Sequence, residues 1–181
     1  LDSKTTFKVG MDGFGQIAGG LIVVDRETGD IFLAVKGDIY NKGFTGVLGG
    51  RASDKDLGQT EEAAYREAGI EELGGFELDR TRMIQLDTMH EWRERDDSRG
   101  PHNLASTYHL YLAHTDEIAS MQAQFAHSAR KRQPHGEIAS LQRISPRDVL
   151  AYIQTGRMKY FDQTQAFVMT ARFSTSLSLI S

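Results

Sequence analysis

The feature that most constrains this chain is a change of apolar rhythm between residues 17 and 75. Ile17 to Val24 is a continuous apolar, largely β-branched run, Asp25 to Asp30 (DRETGD) is a cluster of turn formers, and Ile31 to Lys36 is apolar again. That pattern predicts a β-hairpin. A loop from Gly37 to Gly46 leads to Val47-Leu48-Gly49-Gly50, a short extended piece ending in paired glycines. Thr60 to Leu73 (TEEAAYREAGIEEL) then changes to a helical rhythm, with Thr60 as its cap, acids and alanines in the first turns, and Gly74-Gly75 as its stop.

Further along, Arg80 to Met89 and Leu104 to His114 alternate and predict two strands, separated by a polar loop, Glu91 to Asn103, whose length suggests function. A third apolar run, Glu137 to Ile144, precedes Ser145-Pro146, where serine caps and proline opens a helix through about Ile153. A last helix is expected over about 162–172. This order predicts a mixed α/β sandwich in one domain spanning 1–181, with its core over about 17–153.

Composition excludes several classes of function. Cysteine is absent, which removes a disulfide framework, thiolate metal ligands and a Cys nucleophile, so any metal takes oxygen or imidazole ligands. A net charge of −4 supplies no broad basic field for long nucleic acid. The longest apolar run, Ala18 to Val24, is far short of the roughly 20 residues a membrane helix needs. Leu1 to Lys8 carries no signal-peptide pattern, and a cytoplasmic location is expected.

The helix carries the chemistry. In a regular α-helix at about 100° per residue, Glu67 and Glu71 share a sector with Ala63, Ala64 and Ile70, whereas Glu61, Tyr65 and Glu72 fall on the opposite, solvent side. Two carboxylates one turn apart among small apolar residues repel and resist desolvation unless a cation neutralises them. Hard oxygen donors suit Mg²⁺ or Mn²⁺. The bland alternative is an acidic solvated face with Arg66 paired to a neighbour.

Gly49-Gly50, a polar loop, Arg66-Glu67, then Glu71-Glu72-x-Gly74 resembles the signature of the Nudix hydrolases, G-x5-E-x7-R-E-U-x-E-E-x-G-U with U a bulky aliphatic residue. The flanks resemble that family too: the hairpin, the entry Val47-Leu48-Gly49-Gly50, and an acid, Glu137, before a late strand. The box is degenerate. Asp56 stands where glutamate is usual, Gly50 to Arg66 is two residues longer than the pattern, and Glu71-Glu72 comes one residue late. Gly69 sits inside the helix, where it costs about 1 kcal/mol relative to Ala.

A one-residue excess can be absorbed as a π-bulge. Two registers therefore stand open: a regular helix pairs Glu67 with Glu71 and leaves Glu72 solvated, and a bulge near Gly69 joins Glu67 to both Glu71 and Glu72. Glu71 is a ligand in either.

The resemblance implies an α/β/α sandwich with a mixed sheet and a Mg²⁺-dependent diphosphatase, with Mn²⁺ as an alternative ion. Glu67, Glu71 and Arg66 would be catalytic, Arg66 by holding a glutamate in an ion pair. Glu67, Glu71, Glu72 and Glu137 would be metal ligands, and Gly50 and Arg51 would belong to the phosphate-facing loop. Trp92, beside Arg93, Arg95 and Arg99, is a candidate base-stacking plate, with an ordinary surface loop as the alternative. Arg130-Lys131-Arg132 reads as a solvated run, no histidine pair has metal-ligand spacing, and no glycine-flanked serine elbow exists.

The expected substrate is a small nucleotide, a nucleotide sugar such as ADP-ribose being favoured, with a homodimer admitted and neither membrane nor long nucleic acid as partner. A Nudix-fold module that binds or senses a nucleotide without turnover is the competing class.

Overall fold

In the computed structural model, residues 6–9, 13–37, 43, 45–53, 56, 59–93, 102–129 and 138–158 are described. They form an eight-stranded mixed sheet: β1 (Thr6–Val9), β2 (Gly13–Asp25), β3 (Ile31–Lys36), β4 (Thr45–Gly46), β5 (Leu48–Arg51), β6 (Met83–Arg93), β7 (His102–Ala113) and β8 (Ile138–Ile144). The order along the main path is β4-β3-β2-β7-β6, with β1 and β5 also on β2 and β8 on β3. β2 and β7 run parallel from Gly15↔Asn103 to Asp25↔Ala113, and the other pairs are antiparallel.

The predicted hairpin is β2–β3, closed where Val24 pairs with Ile31. Its first strand is continuously apolar because both faces of the sheet are covered. Leu21 and Val23 enter one core with Ala68, Leu73, Ile118 and Met121, whereas Ile22 and Val24 enter the other with Leu110, Val149 and Met158. The first core lies under α1 (Thr60–Ala64), its continuation Tyr65–Glu72 and α2 (Thr115–Ala129), and the second lies under α3 (Pro146–Gln154). These layers make an α/β/α sandwich.

Several boundaries differ from the sequence-based expectation. The N-cap of α1 is Gln59 rather than Thr60, with no side-chain cap bond. Ser145 does cap α3, but its hydroxyl meets the Asp148 carboxylate. The polar loop is shorter than Glu91 to Asn103: strand pairing continues through Arg93↔His102, because the cross-strand ladder persists beyond the apolar residues. Residues 80–82 are a short 3₁₀ turn capped by the Asp79 side chain. β1, β4 and α2 were not foreseen. For α2 the signal was present in Thr115-Asp116-Glu117 followed by Ile118, Met121 and Phe125 at helical spacing. The expected helix over 162–172, Glu137 and the basic run at 130–132 lie outside the described residues.

Candidate active site

The helix departs from α geometry one residue before Arg66. Tyr65–Glu72 is a π-helix, and the Leu73 amide donates to the Ala68 carbonyl at 2.8 Å, five residues back. The foreseen bulge therefore extends over eight residues. Gly69 shows why the irregularity settles here: a Cβ on it would lie 2.8 Å from the Phe76 carbonyl oxygen, where the chain folds back over the helix. Gly74 and Gly75, at φ 75° and 97°, make that reversal.

The altered pitch changes which acids meet. The wider turn of a π-helix swings the residue five positions on round toward the face of the first, where an α-helix would leave it on the far side, and so brings Glu72 in toward the face of Glu67. Both are buried, their side chains 10% and 3% exposed, whereas the Glu71 side chain is 50% exposed. The solvated Glu72 of the regular register is thereby corrected, while Glu71, which shares the Arg66 guanidinium with Glu67, lies at the solvent side of the pair. Glu61 is exposed, as expected.

β5 forms the floor beneath this pair. A Cβ on Gly50 would sit 2.7 Å from the Glu67 carboxyl carbon, so only glycine lets the strand lie against that carboxylate. The Gly49 amide donates to Glu72 Oε2 at 3.4 Å, and Lys36 Nζ, at the end of β3, stands 3.8 Å from Glu72 Oε1. α1 can approach the sheet this closely because β2 carries Gly19, where a Cβ would lie 2.0 Å from the Thr60 carbonyl oxygen.

Arg66 organises the remaining charges. Its Nε and Nη2 donate to Asp56 Oδ1 and Oδ2 at 2.9 and 2.8 Å, a bidentate pair. Nη2 also lies 2.9 Å from Glu67 Oε1 and 3.3 Å from the Arg51 carbonyl oxygen, and Nη1 donates to Glu71 Oε1 at 2.5 Å. Asp56 is buried and accepts from the Ser53 amide at 2.8 Å. Burial opposes its charge, but the Arg66 guanidinium and the Ser53 amide outweigh burial and hold the carboxyl below its ordinary 3.8. The hydrogen bond to Asp56 correspondingly pushes Arg66 up. Asp56 was noted as a departure from the glutamate of the box; in space it is the principal anchor of Arg66. Lys36, at the end of a strand with no motif around it, gave no signal.

The predicted substrate residues are not brought to one place. Arg51 pairs with Ala18, which pairs with Ser106, whereas Trp92 pairs with Asn103. Alternation puts them on opposite faces of the sheet. Arg51 Nη2 meets His102 Nε2 at 3.4 Å on the face away from the π-helix. Trp92 is 58% exposed on the helix face of β6, three strands from β5. Counting strand spacings and residues along β7, it stands roughly 20 Å from Gly50.

Among the described residues no group of three or more acids or histidines is gathered as a metal cage. The pair Glu67 and Glu72 nevertheless fits a hard divalent cation. Both are oxygen donors and both are buried, and Asp56 and Glu71 bring two more carboxylates to the same Arg66.

No protein-family model matches the sequence, and no curated protein matches it. Solved structures do. A NUDIX hydrolase from Alicyclobacillus acidocaldarius superposes with a TM-score of 0.60 at 12% identity, covering 93% of this chain and 97% of the other. Shewanella oneidensis NrtR, in a complex with a 27mer DNA, gives 0.53 at 17% identity over 89% of this chain and 61% of NrtR. A MutT NUDIX hydrolase from Burkholderia pseudomallei gives 0.50 at 18% identity over 87% and 96%. The chain has the Nudix hydrolase fold.

Proposed function

We propose that the protein hydrolyses the diphosphate linkage of a nucleoside diphosphate derivative with the help of Mg²⁺, for which Mn²⁺ can substitute. The observation that carries this reading is the buried pair Glu67 and Glu72 on one face of a π-helix, set over Gly49-Gly50 and flanked by Arg66. Glu67 and Glu72 would hold the ion, with Glu137 as a further acid. A bound divalent cation neutralises diphosphate charge and lowers the pKa of an attacking water. Arg66 locks Glu67 and the Arg51 carbonyl at the end of β5 in place. Glu71, open to solvent and tied to Arg66, is placed to accept the proton as a water oxygen bonds to one phosphorus and the other phosphate leaves.

Among substrates we favour a nucleotide sugar such as ADP-ribose. Trp92 supports this choice through its exposure and its place on the helix face: at roughly 20 Å from Gly50 it can reach only a moiety well removed from the diphosphate. A ligand with a group on each side of the linkage meets that demand better than a triphosphate.

One observation favours a second reading, a nucleotide-binding or sensing module. The late arrival of Glu71-Glu72 has turned Glu71 away from the buried pair, and NrtR shows that this fold also occurs in a protein that binds DNA. Product formation separates the two. Incubation with ADP-ribose, NADH, dinucleoside polyphosphates, capped RNA fragments and nucleoside triphosphates in Mg²⁺ should yield product from the first; binding without product in every case would establish the second.

A further inference from the structure

Lys36 is a cation, among the described residues, that reaches the carboxylate pair from outside the box. Its Nζ lies 3.8 Å from Glu72 Oε1, with the Lys36 side chain 14% exposed and that of Glu72 3% exposed. It comes from β3, a different element from both the π-helix and the Gly49-Gly50 floor, and sits where the pairing of β3 with β8 shifts register between Val35 and Lys36. The irregularity frees the strand's last side chain from simple alternation.

An ammonium this close to a desolvated carboxylate does what a metal ion would do: it neutralises Glu72. Lysine is also well suited to leave again, being a point charge on a flexible stem rather than a bidentate fork like the one Arg66 uses on Asp56. Glu67 and Glu72 thus differ. Glu67 meets a guanidinium that Asp56 fixes in a bidentate pair, whereas Glu72 meets the point charge of an ammonium.

Resting on the divalent-ion reading above, we propose that Lys36 is a positioning residue that guards Glu72 in the ion-free protein and passes to a diphosphate oxygen once a divalent cation takes that carboxylate. A divalent cation held by Glu72 would take over the neutralisation that Lys36 supplies, leaving the ammonium to bond a diphosphate oxygen instead. Ion binding and diphosphate capture become coupled through one side chain.

The test measures Mn²⁺ binding by the loss of the free-ion paramagnetic resonance signal, without nucleotide, in the parent, Lys36→Met, Lys36→Arg and Glu72→Gln. Lys36→Met should bind Mn²⁺ more tightly, on the order of tenfold, because a competing charge is gone. With Mn²⁺ saturating, the same variant should bind methylenediphosphonate more weakly by a similar factor, and Lys36→Arg should recover most of that loss. Unchanged or weaker Mn²⁺ binding by a folded Lys36→Met, or unchanged diphosphonate binding, overturns the hand-over. A parent and a Glu72→Gln that bind Mn²⁺ equally would instead overturn the divalent-ion reading itself. Lys36→Gln, measured in parallel, guards against misfolding of one variant.

Discussion

Two arginine clusters on the same side of the sheet show how differently a protein can use an ion pair. Arg82 meets Glu117 at 2.5 Å, donates to the Leu112 carbonyl and reaches the Tyr111 hydroxyl at 3.3 Å; Tyr111 in turn donates to Glu117 Oε2 at 2.8 Å. Both oxygens of Glu117 are occupied, and Asp79 stands nearby as a second, weaker counter-charge to Arg82. Burial, reinforced by the bond to Glu117, pushes the Tyr111 phenol up to about 12. That cluster ties α2 to β7. Around Arg66 and Lys36 the structure gathers four carboxylates, and three of them, Asp56, Glu67 and Glu72, are buried. A cluster whose carboxylate is saturated by neighbours is a fastening, whereas several buried carboxylate oxygens gathered on one face suit a cation.

The contrast is broken most forcefully at Glu72. Glu72→Gln should lower kcat by roughly 10²-fold or more, as expected for a group acting only on the bound ion and transition state, with Glu67→Gln alongside. Steady-state kinetics on the best substrate of the panel checks this, and parent-like kcat in Glu72→Gln would remove the buried pair from the mechanism.

At the Arg82 cluster the effect should move from rate to stability. Glu117→Gln should cost about 1–2 kcal/mol, from weakened hydrogen bonds to Arg82 and Tyr111 in a partly exposed setting, and leave kcat within twofold. Urea unfolding and kinetics on one preparation test both halves. A large loss of kcat would show that α2 communicates with the site.

A smaller effect is expected with pH. His109 is buried beneath α1, and burial lowers its pKa from 6.5 against weaker opposing contributions from the Gly20 carbonyl and Glu61. The unfolded chain therefore takes up this proton first. The contribution of neutral His109 to stability is complete above pH 6.5 and declines as pH falls from there toward the lowered folded value. Melting curves from pH 8 to pH 5 should decline less steeply in His109→Gln than in the parent, and identical slopes would contradict the assignment.

The smallest effect is expected at Trp92, where alanine should lower kcat/KM for ADP-ribose several-fold while leaving a triphosphate unaffected, the loss being that of a single stacking contact. Equal kcat/KM for parent and Trp92→Ala on ADP-ribose would detach that indole from substrate choice.

What could be read from the sequence follows from how local each signal is. The hairpin, β5 and the helix stop at Gly74-Gly75 rest on residues adjacent in the chain, and the structure has them where local chemistry puts them. Gly69 announced a disturbed helix. The extent of the π-helix was not legible, because it depends on the Phe76 carbonyl folding back onto Gly69. That contact lies beyond the helix, seven residues on, and goes with the register in which Glu72 is buried and Glu71 exposed. Asp56 and Lys36 were hidden for a similar reason: each reaches the site from another segment, one through Arg66 and the other across the sheet. The helix α2 is a different kind of miss, since Ile118, Met121 and Phe125 carry its period in plain view.

Whether Glu72 rather than Glu71 completes the buried pair is decided most directly by Mg²⁺-dependent melting of the parent, Glu71→Gln and Glu72→Gln. Saturating Mg²⁺ should raise the Tm of the parent and of Glu71→Gln by similar amounts, since ligand binding to the native state stabilises it, and should leave Glu72→Gln unmoved. A Mg²⁺-induced rise that survives in Glu72→Gln and disappears in Glu71→Gln would contradict the π-helical register as the basis of the site.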